Sequence, residues 1–138
     1  SGLATWIGSL SSNISNISII FIVLISIVSI ILLTELTSNT ATASTFIPIL
    51  GATALGLGQN PLLLIIPATL GASCAFMMPV ATPPNTIAYA SGHLKISDMI
   101  KAGIWLNIIS IIIIGIIITL ILGPVFDVEL NKIPLWVN

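Results

Sequence analysis

Between Ser1 and Leu94 the chain carries a single charged side chain, Glu35. A soluble domain covers its surface with about 25% charged residues. Here the whole chain has 5%, against 57% hydrophobic. So few charges cannot clothe a water-facing surface, so the solvent for this chain is the lipid bilayer. In hydrocarbon the backbone must pair its own N–H and C=O groups, which leaves helices or closed barrels. The long apolar runs lack two-residue alternation, above all GIWLNIISIIIIGIIITLILG at 103–123, and so decide for helices. The expected fold class is all-α integral membrane. A net charge of −1 excludes a basic nucleic-acid-binding face.

Each crossing takes about 20 residues. The 138 residues hold only a few, and a chain that opens inside SGLATWIG is expected to be part of a longer protein. Residues 1–13 read as an interfacial segment with Trp6 at headgroup level. In 14–58, an apolar arm (14–33) leads to a polar tip and then to a second arm (46–58) interrupted by Pro48, Gly51, Gly56 and Gly58. The second arm is too brief to span, so the expectation is a re-entrant helical hairpin. Gln59-Asn60-Pro61 is a turn signal. Residues 61–92 read as a Pro-broken transmembrane helix, running over 62–80 and interrupted at ATPPNT (81–86), because Pro83 and Pro84 each lack an N–H. A polar loop, 93–101, precedes the last full transmembrane helix, 102–124, which Pro124 stops before a tail at 125–138. Lys95 and Lys101 place the 93–101 loop in the cytoplasm and the C-terminus outside, where Lys132 is outweighed by Asp127 and Glu129. Cys74 reads as a small buried hydrophobe.

The stretch LTELTSNTATASTFIPIL (33–50) holds seven hydroxyl side chains, one Asn and one carboxylate between two apolar runs. Non-helical backbone at membrane depth is tolerated only where it is buried in protein or lines a wet cavity, and broken helices are how secondary transporters build their sites. If a helical arm restarts at Ala41, its N-terminal donors and dipole face the tip, suited to a carboxylate, with Asn39 or Thr40 as cap and ligand. The carbonyl end of the first arm, near Thr34 to Thr37, suits a cation. ATPPNT repeats the recipe, with Thr82, Asn85 and Thr86 as polar groups and with carbonyls freed by the prolines to bind a cation. Plainer readings stand beside these. Ser15, Ser18, Ser26 and Ser29 can bond back to their own helices, Ser38 to Thr40 can form an ordinary loop, and His93 a solvated loop position. Glu35 is either a structural or interfacial carboxylate or a proton or cation site.

TELTSNTATA, followed by ASCAFMMPVATPPNTIAYASGHLKISDMIKAG, resembles the C-terminal portion of the divalent anion:sodium symporters, the dicarboxylate, citrate and sulfate carriers. The resemblance covers roughly residues 30–110. It implies half of an inverted-repeat transporter fold, with the N-terminal repeat missing, and a homodimer when complete. It implies Ser38, Asn39, Thr40, Thr82 and Pro83 as substrate-binding residues, and Thr34, Thr37, Asn39 and Ala81 as ligands of a co-transported Na⁺.

The expected function is sodium-coupled transport of divalent anions, C4-dicarboxylates first, across the cytoplasmic membrane, as part of a longer chain. The expected partners are the small divalent anion, the lipid bilayer and the missing repeat. One alternative is a sulfate or other oxyanion carrier, proton-coupled; another is a non-transporting structural membrane subunit. An embedded enzyme would need an acid–base pair or a metal cluster, and one Glu, one His and one Cys lying far apart supply neither.

Overall fold

The computed structural model describes residues 18–126, together with Gly2 and Trp6. The tail 127–138, and 1–17 apart from those two positions, lie outside the described residues, and with them most of the expected interfacial segment and the first residues of the hairpin. The described residues form six helices and no strand: α1 (Ile19–Thr34), α2 (Asn39–Gly56), α3 (Leu62–Ala72), α4 (Pro83–Ala90), α5 (Ile96–Leu120) and the short α6 (Leu122–Phe126).

Length separates these helices by what they can cross. At 1.5 Å per residue, α5 with its 25 residues extends about 37 Å, more than the roughly 30 Å of a hydrocarbon core. It is the one helix among the described residues long and apolar enough to cross a membrane. By the same rise α1 (16 residues) reaches about 24 Å and α2 (18 residues) about 27 Å.

Helix α3 is central, packed against α1, α2 and α5. One core cluster joins Val23, Ile27 and Ile31 of α1 to Leu63 and Leu64 of α3 and to Ile114 and Ile118 of α5. Small residues let the helices approach: Ala68 and Ala72 are buried beside Ile30, and Gly71 lies under Ile30 and Ile31. This is how helices associate in lipid, where apolar area alone gives no drive to pack. Isolated hydroxyls turn back into their own helices, as the sequence suggests: Ser26 donates to the carbonyl of Ile22 (2.8 Å) and Thr69 to that of Ile65 (2.8 Å).

The second arm of the helical pair runs unbroken through Pro48. It ends where Gly58, at φ +71°, takes the left-handed conformation. The N–H of Gly58 bonds Leu55 O and that of Gln59 bonds Ala54 O (both 2.9 Å), so these two carbonyls near the end of α2 are satisfied. Asn60 then starts α3 by accepting from the N–H of Leu62 (3.0 Å).

Four boundaries differ from the sequence reading. The break in the 61–92 segment is not at 81–86: α3 stops at Ala72, the chain is non-helical over 73–82, and Pro83 and Pro84 begin α4. Proline at the first positions of a helix loses nothing, because those N–H groups have no helical partner anyway. The second arm restarts at Asn39 with Ser38 as cap, not at Ala41. The last helix begins at Ile96, inside the expected polar loop, with the N–H of Lys95 directed to Asp98 Oδ2 (3.4 Å). It ends at Leu120, and Pro124 falls within α6.

Candidate functional site

Two non-helical stretches, 35–38 and 73–82, meet in the interior, and Glu35 joins them. Its side chain, at the end of α1, is 2% exposed. Oε1 accepts from the backbone N–H groups of Phe76 (2.8 Å) and Met77 (3.0 Å). Oε2 accepts from Met77 (3.0 Å) and Met78 (2.9 Å). Asn107 of α5 adds its side-chain N–H at 2.8 Å to Oε1. Every partner is a donor, and Glu35 thereby fastens the 73–82 loop and α5 to the end of α1.

The opposite side of the same loop is held by α4. Asn85 Nδ2 donates to the carbonyls of Ala75 and Met78 (both 3.1 Å). Thr86 Oγ1 donates to that of Pro79 (2.6 Å). Buried backbone groups must find partners, in a helix or elsewhere. Between Ala75 and Pro79 side chains 41 to 43 and 7 to 10 residues away replace the helical ladder. Asn85 and Thr86 thus take one lone pair on each of the carbonyls of Ala75, Met78 and Pro79.

At the other stretch, Ser38 Oγ caps α2 by accepting from the N–H of Ala41 (3.1 Å). The N–H groups of Asn39 and Thr40, Asn39 Nδ2 and Thr40 Oγ1 have no hydrogen-bond partner among the described residues. These donors gather at one helix N-terminus and face a partly open surface, since Ser38 and Thr40 are exposed and Asn39 half-buried. Behind them, the fully buried Thr34 donates to Asn39 Oδ1 (2.7 Å) and to Ala72 O (2.8 Å). One hydroxyl proton serves one acceptor at a time, so three neutral oxygens converge with a lone pair to spare. Thr37 is turned to Thr42 and to Leu33 O (3.0 Å). Thr82 caps α4 through the N–H of Asn85 (3.4 Å), beside the buried Ala81 and the exposed Pro83. The structure thus brings Thr34 and Asn39 into direct contact. It ties the loop carrying Ala81, Thr82 and Pro83 to the tip through Glu35, with no direct hydrogen bond between loop and tip. Among the described residues no cluster of His, Cys, Asp or Glu could hold a metal ion.

Two residues escaped the sequence reading. A Cβ on Gly103 would lie 2.6 Å from Met77 Cα and from Phe76 O, so glycine alone lets α5 touch this loop. Asn107 follows one turn later, 5% exposed, with its Oδ1 buried and unpartnered among the described residues. Such an oxygen costs about 1–3 kcal/mol. The available signal was a lone amide within GIWLNIIS, one turn after a glycine. Gly103→Ala is expected to destabilise by about 1–3 kcal/mol through overpacking against backbone that cannot yield. Gly115→Ala, whose Cβ would meet only Leu24 Cδ2 at 3.5 Å, should be near neutral. Thermal unfolding of the two variants in detergent checks the pair; equal melting temperatures would mean that α5 does not dock on the loop.

The chain matches the family described as the sodium:sulfate symporter transmembrane region over residues 1–126. It is 43% identical over 132 residues to the sodium-dependent dicarboxylate transporter SdcS of Staphylococcus aureus strain MRSA252, covering 96% of this chain and 25% of that one. To SdcS of strain USA300 it is 42% identical with the same coverage. The chain thus spans about a quarter of the length of the curated relatives it matches. The two interrupted segments held together by Glu35 lie within the matched residues, and the chain belongs to the divalent anion:sodium symporter family, a membrane-embedded family of transporters and not of enzymes.

Proposed function

We propose that this chain forms part of a sodium-coupled carrier that moves divalent anions, C4-dicarboxylates first, across the cytoplasmic membrane. The observation that carries the reading is the tip of the α1–α2 pair. Unpartnered donors of Ser38, Asn39 and Thr40 lie on one side of Asn39, and the converging oxygens of Thr34, Asn39 and Ala72 on the other. The anion takes the donors, with Thr82 and Pro83 facing it from the second loop. Na⁺, as co-transported cargo, takes the oxygens of Thr34, Asn39 and Ala72, and the proposed ligand set adds Thr37 and Ala81. Pairing the two charges lowers the cost of burying either one.

In this reading α1 and α2 form a re-entrant hairpin. Their 16 and 18 residues fall short of a full crossing, whereas α5 spans. The chain supplies one half of an inverted-repeat fold. The other half comes from an N-terminal repeat, and the complete carrier is a homodimer. The 93–101 loop faces the cytoplasm and the C-terminus the outside. The relatives named sodium-dependent dicarboxylate transporters support the choice of ion and anion. The family description, which names sulfate, keeps a sulfate carrier as the second reading.

The test is uptake of a labelled C4-dicarboxylate into proteoliposomes holding the full-length carrier. Replacing external Na⁺ with choline should bring uptake to background. Excess unlabelled dicarboxylate should compete, and equal sulfate should not. Uptake that persists in choline would sink sodium coupling, and competition by sulfate would move the assignment to the second reading.

A further inference from the structure

We propose that Asn107 of α5 is a positioning residue for ion and anion binding, acting through Glu35. The inference rests on the reading above, in which the tip and the 73–82 loop together form the binding site. The buried residues of α5 are Gly103, Asn107, Ile114 and Ile118, spaced four, seven and four apart, so they lie on one stripe of the helix. That stripe is apolar save for Asn107.

Gly103 and Asn107 grip the same piece of the loop from adjacent turns. Gly103 lies under the backbone of Phe76 and Met77. Asn107 donates at 2.8 Å to Glu35 Oε1, the oxygen that also receives the N–H groups of Phe76 and Met77. Asn107 bonds to none of the tip residues and to none of Ala81, Thr82 and Pro83, so it is not itself a ligand. It fixes which way the carboxylate faces, and the carboxylate fixes both the end of α1, where Thr34 sits, and the loop leading to Thr82.

The amide makes this one bond while its own oxygen stays buried and unpaired. A leucine would fill the space in an apolar helix without that cost. The side chain therefore serves as a donor to Glu35 rather than as packing.

The experiment is Asn107→Leu in the full-length carrier, with uptake measured against Na⁺ and dicarboxylate concentration. Loss of this hydrogen bond to the buried carboxyl group should raise the half-saturating Na⁺ and the KM for the anion about tenfold. Maximal rate per folded protein should stay within about twofold, and melting temperature should not fall, because the unpaired oxygen is removed with the donor. A residue that merely packs would lower the melting temperature and the amount of folded carrier, leaving half-saturating Na⁺ and KM where they were. That outcome, or wild-type values throughout, overturns the proposal. If the leucine variant is not recovered as monodisperse protein, Asn107→Ala removes the same donor and is read by half-saturating Na⁺ and KM alone, since the cavity it leaves lowers the melting temperature by itself. Wild-type carrier without Na⁺-dependent uptake would instead count against the function itself, so the two failures are separable.

Discussion

Glu35→Gln is expected to abolish transport and loosen the 73–82 loop. A glutamine side chain is almost the same shape, so packing is preserved. One of its two heavy polar atoms becomes a donor, however, and it faces N–H groups on either side. If the amide nitrogen takes the place of Oε2, it meets the N–H groups of Met77 and Met78; in the place of Oε1 it meets those of Phe76, Met77 and Asn107. Met77 keeps the remaining oxygen in both cases, so Met78 loses its acceptor in the first and Phe76 and Asn107 lose theirs in the second, at about 1–3 kcal/mol each. A penalty of about 2 kcal/mol already lowers the population of the ordered loop roughly 30-fold. Glu35→Asp keeps both acceptor oxygens but is a methylene short, and should fall between Glu35→Gln and the wild type. The loop itself can be watched: Val80 is 69% exposed, and a maleimide reacting with Val80→Cys should lose its protection by Na⁺ and dicarboxylate when Glu35→Gln is added. Normal uptake and normal protection in the double variant would show that the carboxylate is not what holds the loop.

Why this carboxylate could be noticed in the sequence and not understood there is a matter of distance along the chain. A single charge in 94 residues is conspicuous, and a structural role was among its readings. Its partners lie 41 to 43 and 72 residues away, and no local pattern announces that three consecutive N–H groups will converge on it. The same cause moved the second break. Pro-Pro is a local signal for an interruption, and it does mark one, but at its C-terminal edge, where a helix can start without the missing N–H groups. The unwinding itself begins at Ser73, in ASCAFMM, which has no residue that forbids a helix. Pro79, just beyond it, offers no N–H to Ala75 and disfavours helical backbone at Met78, and Glu35, Asn85 and Thr86 supply the partners a helix would have supplied. The apolar last helix and a polar break between the two arms, though not its bounds of 35–38, needed no such information. Helix length in lipid and the hydroxyl cluster both act locally, and both were legible.

Asn39→Ala should remove coupled uptake and leave the fold in place. Asn39 faces two ways. Its Oδ1 receives the Thr34 hydroxyl at 2.7 Å, on the side where the oxygens converge. Its Nδ2 and its backbone N–H lie among the unpartnered donors at the start of α2. Alanine deletes both side-chain functions, while Ser38 continues to cap the helix through the N–H of Ala41. Thr34 keeps Ala72 O as an acceptor at 2.8 Å, so no buried hydroxyl is stranded and the melting temperature should hardly move. Asn39→Asp divides the two roles. It retains an oxygen for Thr34 and for a cation, but it puts a negative charge where the anion's carboxylate must lie, at the helix N-terminus. Stabilisation of the purified carrier by Na⁺ should therefore survive in Asn39→Asp and vanish in Asn39→Ala, whereas stabilisation by dicarboxylate should vanish in both. Two like charges about 4 Å apart, even at the screened dielectric of a protein surface, repel by about 4 kcal/mol, enough to lower anion affinity roughly a thousandfold. If dicarboxylate stabilises Asn39→Asp as well as it does the wild type, the anion does not bind at this tip, and the donors of Ser38 and Thr40 need another explanation.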